Sequence, residues 1–240
     1  MKRLFVILSQ KSSMIKLVVT CLVTFVVLLG SVGIGWGANF QKGVSAYNNG
    51  AYVAALREWL PLAEQGITSA QHKMGWMYER GKGVPQNYKT AVKWYRLAAE
   101  QGHASSQYNL GVMYGQGKGV PQDWKTAMKW WKLAGKQGIV DAQYSLGFMY
   151  QNGETDPQDY KTAVKWLKLA ARQGHARAQF GLGFMYQNGQ GIIQDNVYAH
   201  MWYNIAASSG DKDAIKLRDI IAKQMTPSQL EKAQDFARNF

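Results

Sequence analysis

The chain holds a single cysteine in 240 residues, Cys21, and it lies inside an N-terminal apolar run. Past that run there is no disulfide framework and no thiol chemistry. A phosphate-cradling glycine loop, a dinucleotide motif and a clustered metal-ligand spacing are missing as well. No nucleophile, base and oxyanion donors assemble into a catalytic set, so the sequence predicts a protein that is not an enzyme and uses no cofactor or metal. Acidic residues are also few, 15 against 28 lysines and arginines, which leaves a net charge of +13 and a preference for anionic partners.

The first 38 residues read as targeting grammar. Lys2, Arg3, Lys11 and Lys16 precede an uncharged apolar run from Leu17 to Leu29, and the small residues Gly30, Ser31, Gly33 and Gly35 follow. This predicts a signal peptide cleaved after Gly37 or Ala38, hence a protein that is periplasmic or secreted. The alternative is an uncleaved inner-membrane anchor, since Leu17 to Trp36 is long enough to span a bilayer. Either way the positive residues stay cytoplasmic and the remainder faces outward. From Asn39 onward the chain keeps 24 basic and 15 acidic residues, a net +9.

In place of catalytic chemistry there is periodicity. Gly75, Gly111, Gly147 and Gly183 stand 36 residues apart, as do Ala91, Ala127, Ala163 and Ala199, the tryptophans Trp94, Trp130, Trp166 and Trp202, and Gly102, Gly138, Gly174 and Gly210. Such a period marks a solenoid in which each unit buries its apolar face against its neighbours. In one unit, Ser69 to Arg80 has a helical apolar face through Met74, Met77 and Tyr78, and Gly81 supplies a left-handed end (helix A). Asn87, replaced later by Asp123, Asp159 and Asp195, caps a second helix (helix B) with Ala91, Trp94 and Ala98 inward. Gly43, Ala55 and Gly66 outline an earlier, shorter unit. Thr226 and Pro227 open a terminal helix after residues 211–225, so 39–210 reads as five units and 211–240 as a cap.

The first unit resembles the tetratricopeptide pattern. The four 36-residue units, with loops GKGVPQN and GKGVPQD and the run AVKWYRLAAEQG, resemble Sel-one-like repeats (SLR) from about Phe40 to Gly210. Departures are Thr155 for the second loop glycine, Ile193 for the loop proline, and Asn204 where other units carry a basic residue. The resemblance implies an all-α, right-handed α-solenoid of helical hairpins. It also implies a non-catalytic scaffold or adaptor, which in bacteria is often exported.

Cysteine-rich relatives of such repeats bring β-lactam hydrolase or penicillin-binding activity into view as a remote alternative. Ser209, Gly210, Asp211 and Lys212 match S-x-x-K, but across a turn, and neither S-D-N nor K-T-G follows. His103 and His175 lie two units apart, about 20 Å or more, too far to share a metal; the histidines read as surface residues beside helix-ending glycines.

Two surfaces remain as candidates. Lys89, Lys93 and Arg96, then Lys125, Lys129 and Lys132, then Lys161, Lys165 and Lys168 recur at i, i+4 and i+7 on successive B helices. They form a basic ridge that either keeps the array soluble or attracts an anionic envelope polymer or lipid head groups, with nucleic acid the least expected ligand after export. On the A helices the tetratricopeptide alignment places His72, Tyr108, Tyr144 and Phe180 in one groove-facing row and Trp76, Val112, Phe148 and Phe184 in the next. Arg80, Gln116, Asn152 and Asn188 make the polar edge, beside Glu79, Gln151 and Gln187. The groove is the expected seat of a protein partner. Periodicity alone leaves open whether one row packs between units. It fixes neither the partner nor the oligomeric state.

Overall fold

The structure is a computed structural model that describes residues 38–153 and 158–240. The signal-peptide reading and Thr155 lie outside the described residues. Helices α1 (Phe40–Asn48) and α2 (Tyr52–Glu64) form the first hairpin. Four more follow: α3 (Thr68–Arg80) with α4 (Tyr88–Glu100), α5 (Ala104–Gln116) with α6 (Trp124–Lys136), α7 (Val140–Asn152) with α8 (Tyr160–Arg172), and α9 (Ala176–Asn188) with α10 (Asn196–Ser208). The chain closes with α11 (Lys212–Ala222) and α12 (Pro227–Arg238). Among the described residues there is no strand, and no helix is long and apolar enough to cross a membrane.

Local chemistry fixes each boundary. Asn87, Asp123 and Asp159 accept the amides of Thr90, Thr126 and Thr162, which satisfies donors that a helix start leaves open. Each A helix from α3 to α9 stops at a glycine in the left-handed region, with Gly81 at φ 64°. The loop then folds back, and the Asn87, Asp123, Asp159 and Asp195 amides donate to the carbonyls of Tyr78, Tyr114, Tyr150 and Tyr186. Thr226 and Gln229 make a reciprocal capping box at α12, with Pro227 as first residue.

Each hairpin is held by a close approach through glycine. A Cβ at Gly75 would lie 2.6 Å from the Tyr95 ring, and one at Gly111 would lie 2.5 Å from Trp131. Gly147 and Gly183 meet Leu167 and Tyr203 in the same way. This corrects the sequence reading of the core. Tyr95, Trp131, Leu167 and Tyr203, one position after the recurring tryptophans, are the buried members. Trp94, Trp130 and Trp166 are half-buried and lean on the preceding unit, Trp166 reaching back to Gly135 on α6; only Trp202 is buried. The reason is rotational. One residue turns about 100° around a helix, so the 36-residue period identified the column without saying which of two adjacent aromatics faces the partner helix.

A ladder of glutamines stitches the units together. Buried Gln71, Gln107, Gln143 and Gln179 donate to the carbonyls of Ala63, Ala99, Gly135 and Ala171 on the preceding B helix. Gln101, Gln137 and Gln173 then donate to the side-chain oxygens of Gln71, Gln107 and Gln143 at 2.8 Å. Each buried amide is thereby partnered on both its nitrogen and its oxygen through the first three rungs, which a buried polar group requires. At the fourth, Ser209 stands in place of the second glutamine.

Candidate interaction groove and basic ridge

The A helices form the inner row of the array, where α7 also packs directly on α9, its counterpart in the next unit. Of the two aromatic rows expected there, the first is packed against neighbours, His72 and Tyr144 between units and Tyr108 and Phe180 within their own hairpins. The His72 ring packs tilted against His103 with ring centres 4.7 Å apart, Tyr144 stacks on His175 at 4.4 Å, and Phe180 lies against Tyr203. The Tyr108 carbonyl accepts the Trp131 indole N–H, and its ring packs on the core of that hairpin.

The second row divides along the array. Trp76 is half-buried, edge-on to Tyr47, and Val112 is half-buried, whereas Phe148 and Phe184 are 45% and 37% exposed. Arg80, Gln116, Asn152 and Asn188 are exposed at the edge. Glu79 and Gln187 are engaged, accepting the hydroxyls of Tyr95 at 2.6 Å and Tyr203 at 2.8 Å. Burial and the neighbouring Glu79 carboxylate raise the Tyr95 pKa, so that hydroxyl stays a donor.

One cleft of about 300 Å³ opens in this row, lined by Tyr144, Phe148, Gln151, Asn152, Leu167, Arg177, Phe180, Gly181 and Phe184. Two departures from the repeat create it. Leu167 occupies the column of Tyr95, Trp131 and Tyr203, so less ring volume fills the hairpin and no hydroxyl engages Gln151. Gly181 occupies the column of Lys73, Asn109 and Ser145, so no side chain covers the opening. A Cβ at Gly181 would come no closer than 3.5 Å to Leu167, ordinary contact, so packing does not demand this glycine. Sequence reasoning missed Leu167, Gly181 and Arg177. Their signal was present as breaks in the columns, which a search for matches passes over.

In units three and four charge separates between the two helix rows, whereas α3 carries Lys73, Glu79 and Arg80 and α10 carries no Asp, Glu, Lys or Arg. Helix α5 carries no charged residue, α7 only Asp141 and α9 only Arg177, while α6 and α8 carry four basic residues each. In the basic ridge Lys89, Lys93, Lys125, Lys129, Lys161 and Lys165 are exposed, but the third column is tethered. Arg96 donates to the Tyr114 hydroxyl at 2.6 Å, and the Lys132 and Lys168 ammonium groups lie 5.4 and 5.7 Å from the Tyr150 and Tyr186 ring centres. Beside the free lysines runs a column of half-exposed leucines, Leu97, Leu133 and Leu169.

The histidines are not surface residues at turns. His103 and His175 cap α5 and α9, accepting the amides of Ser106 and Ala178. His72 and His103 both contact the Ser106 hydroxyl, at 2.9 and 3.0 Å. Burial, then the proximity of His103 and Lys73, lowers the His72 pKa to about 4. His200 is buried. Among the described residues no three metal-ligating side chains converge. Ser209 ends α10 and Asp211 caps α11, so the S-x-x-K run spans an exposed helix junction.

Comparison with known proteins decides the family. The Sel1 repeat family model matches residues 68–103, 104–139, 140–175 and 176–211. The chain belongs to the Sel1 repeat family. Among solved structures, this Sel1 array is similar to a Sel1 repeat protein from Oxalobacter formigenes, with 31% identity over 85% of this chain and 83% of that one and a TM-score of 0.72. It is also similar to c5321, a protective antigen of uropathogenic Escherichia coli displaying an SLR fold, with 30% identity over 83% of this chain and a TM-score of 0.72; the match spans 44% of the antigen. No curated protein matches the chain. Sel1 repeat proteins generally mediate protein–protein interactions and are generally non-catalytic.

Proposed function

We propose that this Sel1 array is a scaffold or adaptor of the bacterial cell envelope that holds a partner protein segment along the inner face of its A helices, with the cleft between α7 and α9 as anchor point. The observation carrying this reading is the cleft itself, where exposed Phe148 and Phe184 flank a depression edged by Gln151, Asn152 and Arg177. A bulky apolar side chain of the partner would fill it, the amides would meet main-chain groups, and the low charge of α7 and α9, one charged residue each, would keep the desolvation cost small. The envelope location rests on the N-terminal grammar. N-terminal mass spectrometry of the protein recovered outside the cytoplasm should find a start between Gly35 and Phe40; an intact chain found only in the inner membrane would favour the anchor.

The test compares proteins captured from an envelope fraction by the native array and by a Phe148→Ala, Phe184→Ala double variant. Both rings are substantially exposed, so melting should hardly change while a partner seated in the cleft loses roughly 2 kcal/mol or more of affinity. Equal capture by both baits would remove the cleft from the function.

A second reading is favoured by the leucine column beside the free lysines, a pairing suited to anionic lipid head groups with an acyl boundary below, or to an anionic polymer. Lys93, Lys129 and Lys165 changed together to Glu should abolish sedimentation with phosphatidylglycerol vesicles and leave folding intact. Unchanged sedimentation at low salt would leave these lysines a solubility role.

A further inference from the structure

The last repeat breaks its own pattern at two places one helical turn apart. The α10 position that holds Val92, Met128 and Val164 in earlier units is His200, and the position of Arg96, Lys132 and Lys168 is Asn204. His200 is 3% exposed and its Nδ1 has no hydrogen-bond partner. An apolar residue would fill this place as it does three times before, without a buried nitrogen left unsatisfied.

Both departures line one cleft of about 470 Å³ between α10 and the cap, together with Arg218, Asp219, Gln234 and Arg238. Arg218 is spoken for in part: its Nε and Nη2 donate to Asp219 at 2.9 and 2.8 Å, and Nη1 reaches Asn204 at 3.4 Å. Arg238 uses one nitrogen on Asp235 and keeps its other donors. Each guanidinium is paired with one carboxylate, Arg218 with Asp219 and Arg238 with Asp235, so the cleft offers the N–H donors that those pairs leave over and not a net charge, and burial together with Arg218 lowers the His200 pKa despite Asp219.

We propose that this cleft binds an oxyanion-bearing small ligand, its carboxylate or phosphate group held by Arg238 and Arg218, with the His200 ring and the Asn204 and Gln234 amides partnering the rest. Planar guanidinium groups pair with either oxyanion through parallel N–H donors. The remaining amides give orientation. The site is independent of the groove on the A helices, and the two stand or fall separately.

The test titrates the intact protein with succinate and, separately, with inorganic phosphate, followed by calorimetry and by the His200 imidazole NMR signals. Binding of succinate alone assigns a carboxylate ligand, and binding of phosphate alone a phosphate ligand. Either should weaken at least tenfold in Arg238→Gln, an exposed position, and in His200→Val, which restores the repeat's own residue and should fold at least as well as the native chain. If neither anion moves the His200 signals, or if His200→Val binds with native affinity, the proposal is overturned.

Discussion

Units two and three of the inner face are sealed, and units four and five are open. In the sealed half, Tyr95 and Trp131 fill the hairpins under Gly75 and Gly111, and Trp76 and Val112 sink against their neighbours. In the open half, Leu167 replaces the ring, Gly181 withholds a side chain, and Phe148 and Phe184 stand in solvent. The backbone scaffold is the same in both, down to helix length and cap geometry. A repeat therefore specifies the architecture, while its exceptions specify where something else can dock.

The comparison breaks most visibly at its buried end. Trp131→Ala should destabilise the array by about 3–5 kcal/mol, through lost burial and a cavity beneath Gly111, whereas Phe148→Ala should cost less than about 1 kcal/mol. Denaturant unfolding of the two variants side by side measures the gap; equal losses would mean the open half is as tightly packed as the sealed one.

Acid should act chiefly on the sealed half. His72 is held neutral there, its pKa lowered from 6.5 to about 4 by burial and by His103 and Lys73. The unfolded chain takes up this proton first, so the contribution is complete above about pH 6.5, declines as pH falls toward 4, and is lost below that. By linkage it is on the order of 3 kcal/mol. His103 and His175, both lowered by burial, act in the same direction. His72→Tyr, the residue of Tyr108 and Tyr144, should flatten the fall of stability between pH 6.5 and 4; a slope matching the native protein would rule His72 out as its source.

The smallest effect is the sharpest probe of the open half. Gly181→Asn, as at Asn109, should leave melting unchanged or raise it slightly, since a helix-interior glycine gives way to a side chain with ordinary room. It should nonetheless cover the cleft. Weaker partner capture at undiminished stability would place the anchor there, and unchanged capture would move it elsewhere along the row.

Much of this was legible in the chain. Gly81, Asn87, Asp123 and Thr226 announce helix ends through chemistry that acts within a few residues, so they could be read without knowing any tertiary contact. The position of Tyr95 could not, because choosing between Trp94 and its neighbour needs the rotation of one helix against another. The glutamine ladder was hidden for a different reason: Gln71, Gln107, Gln143 and Gln179 look like surface amides until the stacking of units buries them. The groove rows were legible as columns, but only packing separates a ring wedged between units, such as Tyr144 against His175, from one left outside, such as Phe148.

Interchangeable units carry a hazard, because the end of one array is a template for the start of another, and head-to-tail contacts of that kind do not close into rings by default. Here α11 and α12 both pack on α10, on the face where a further unit would otherwise stack. A glutamine in place of Ser209 would reach Gln179 as Gln173 reaches Gln143, a bond within one repeat that braces the amide reaching back to the preceding unit. The serine leaves that rung unmade, and Phe236 and Phe240 fold back over Tyr198 and Trp202. The cap thus occupies, with its own helices and two aromatic rings, the surface through which one array would otherwise meet another.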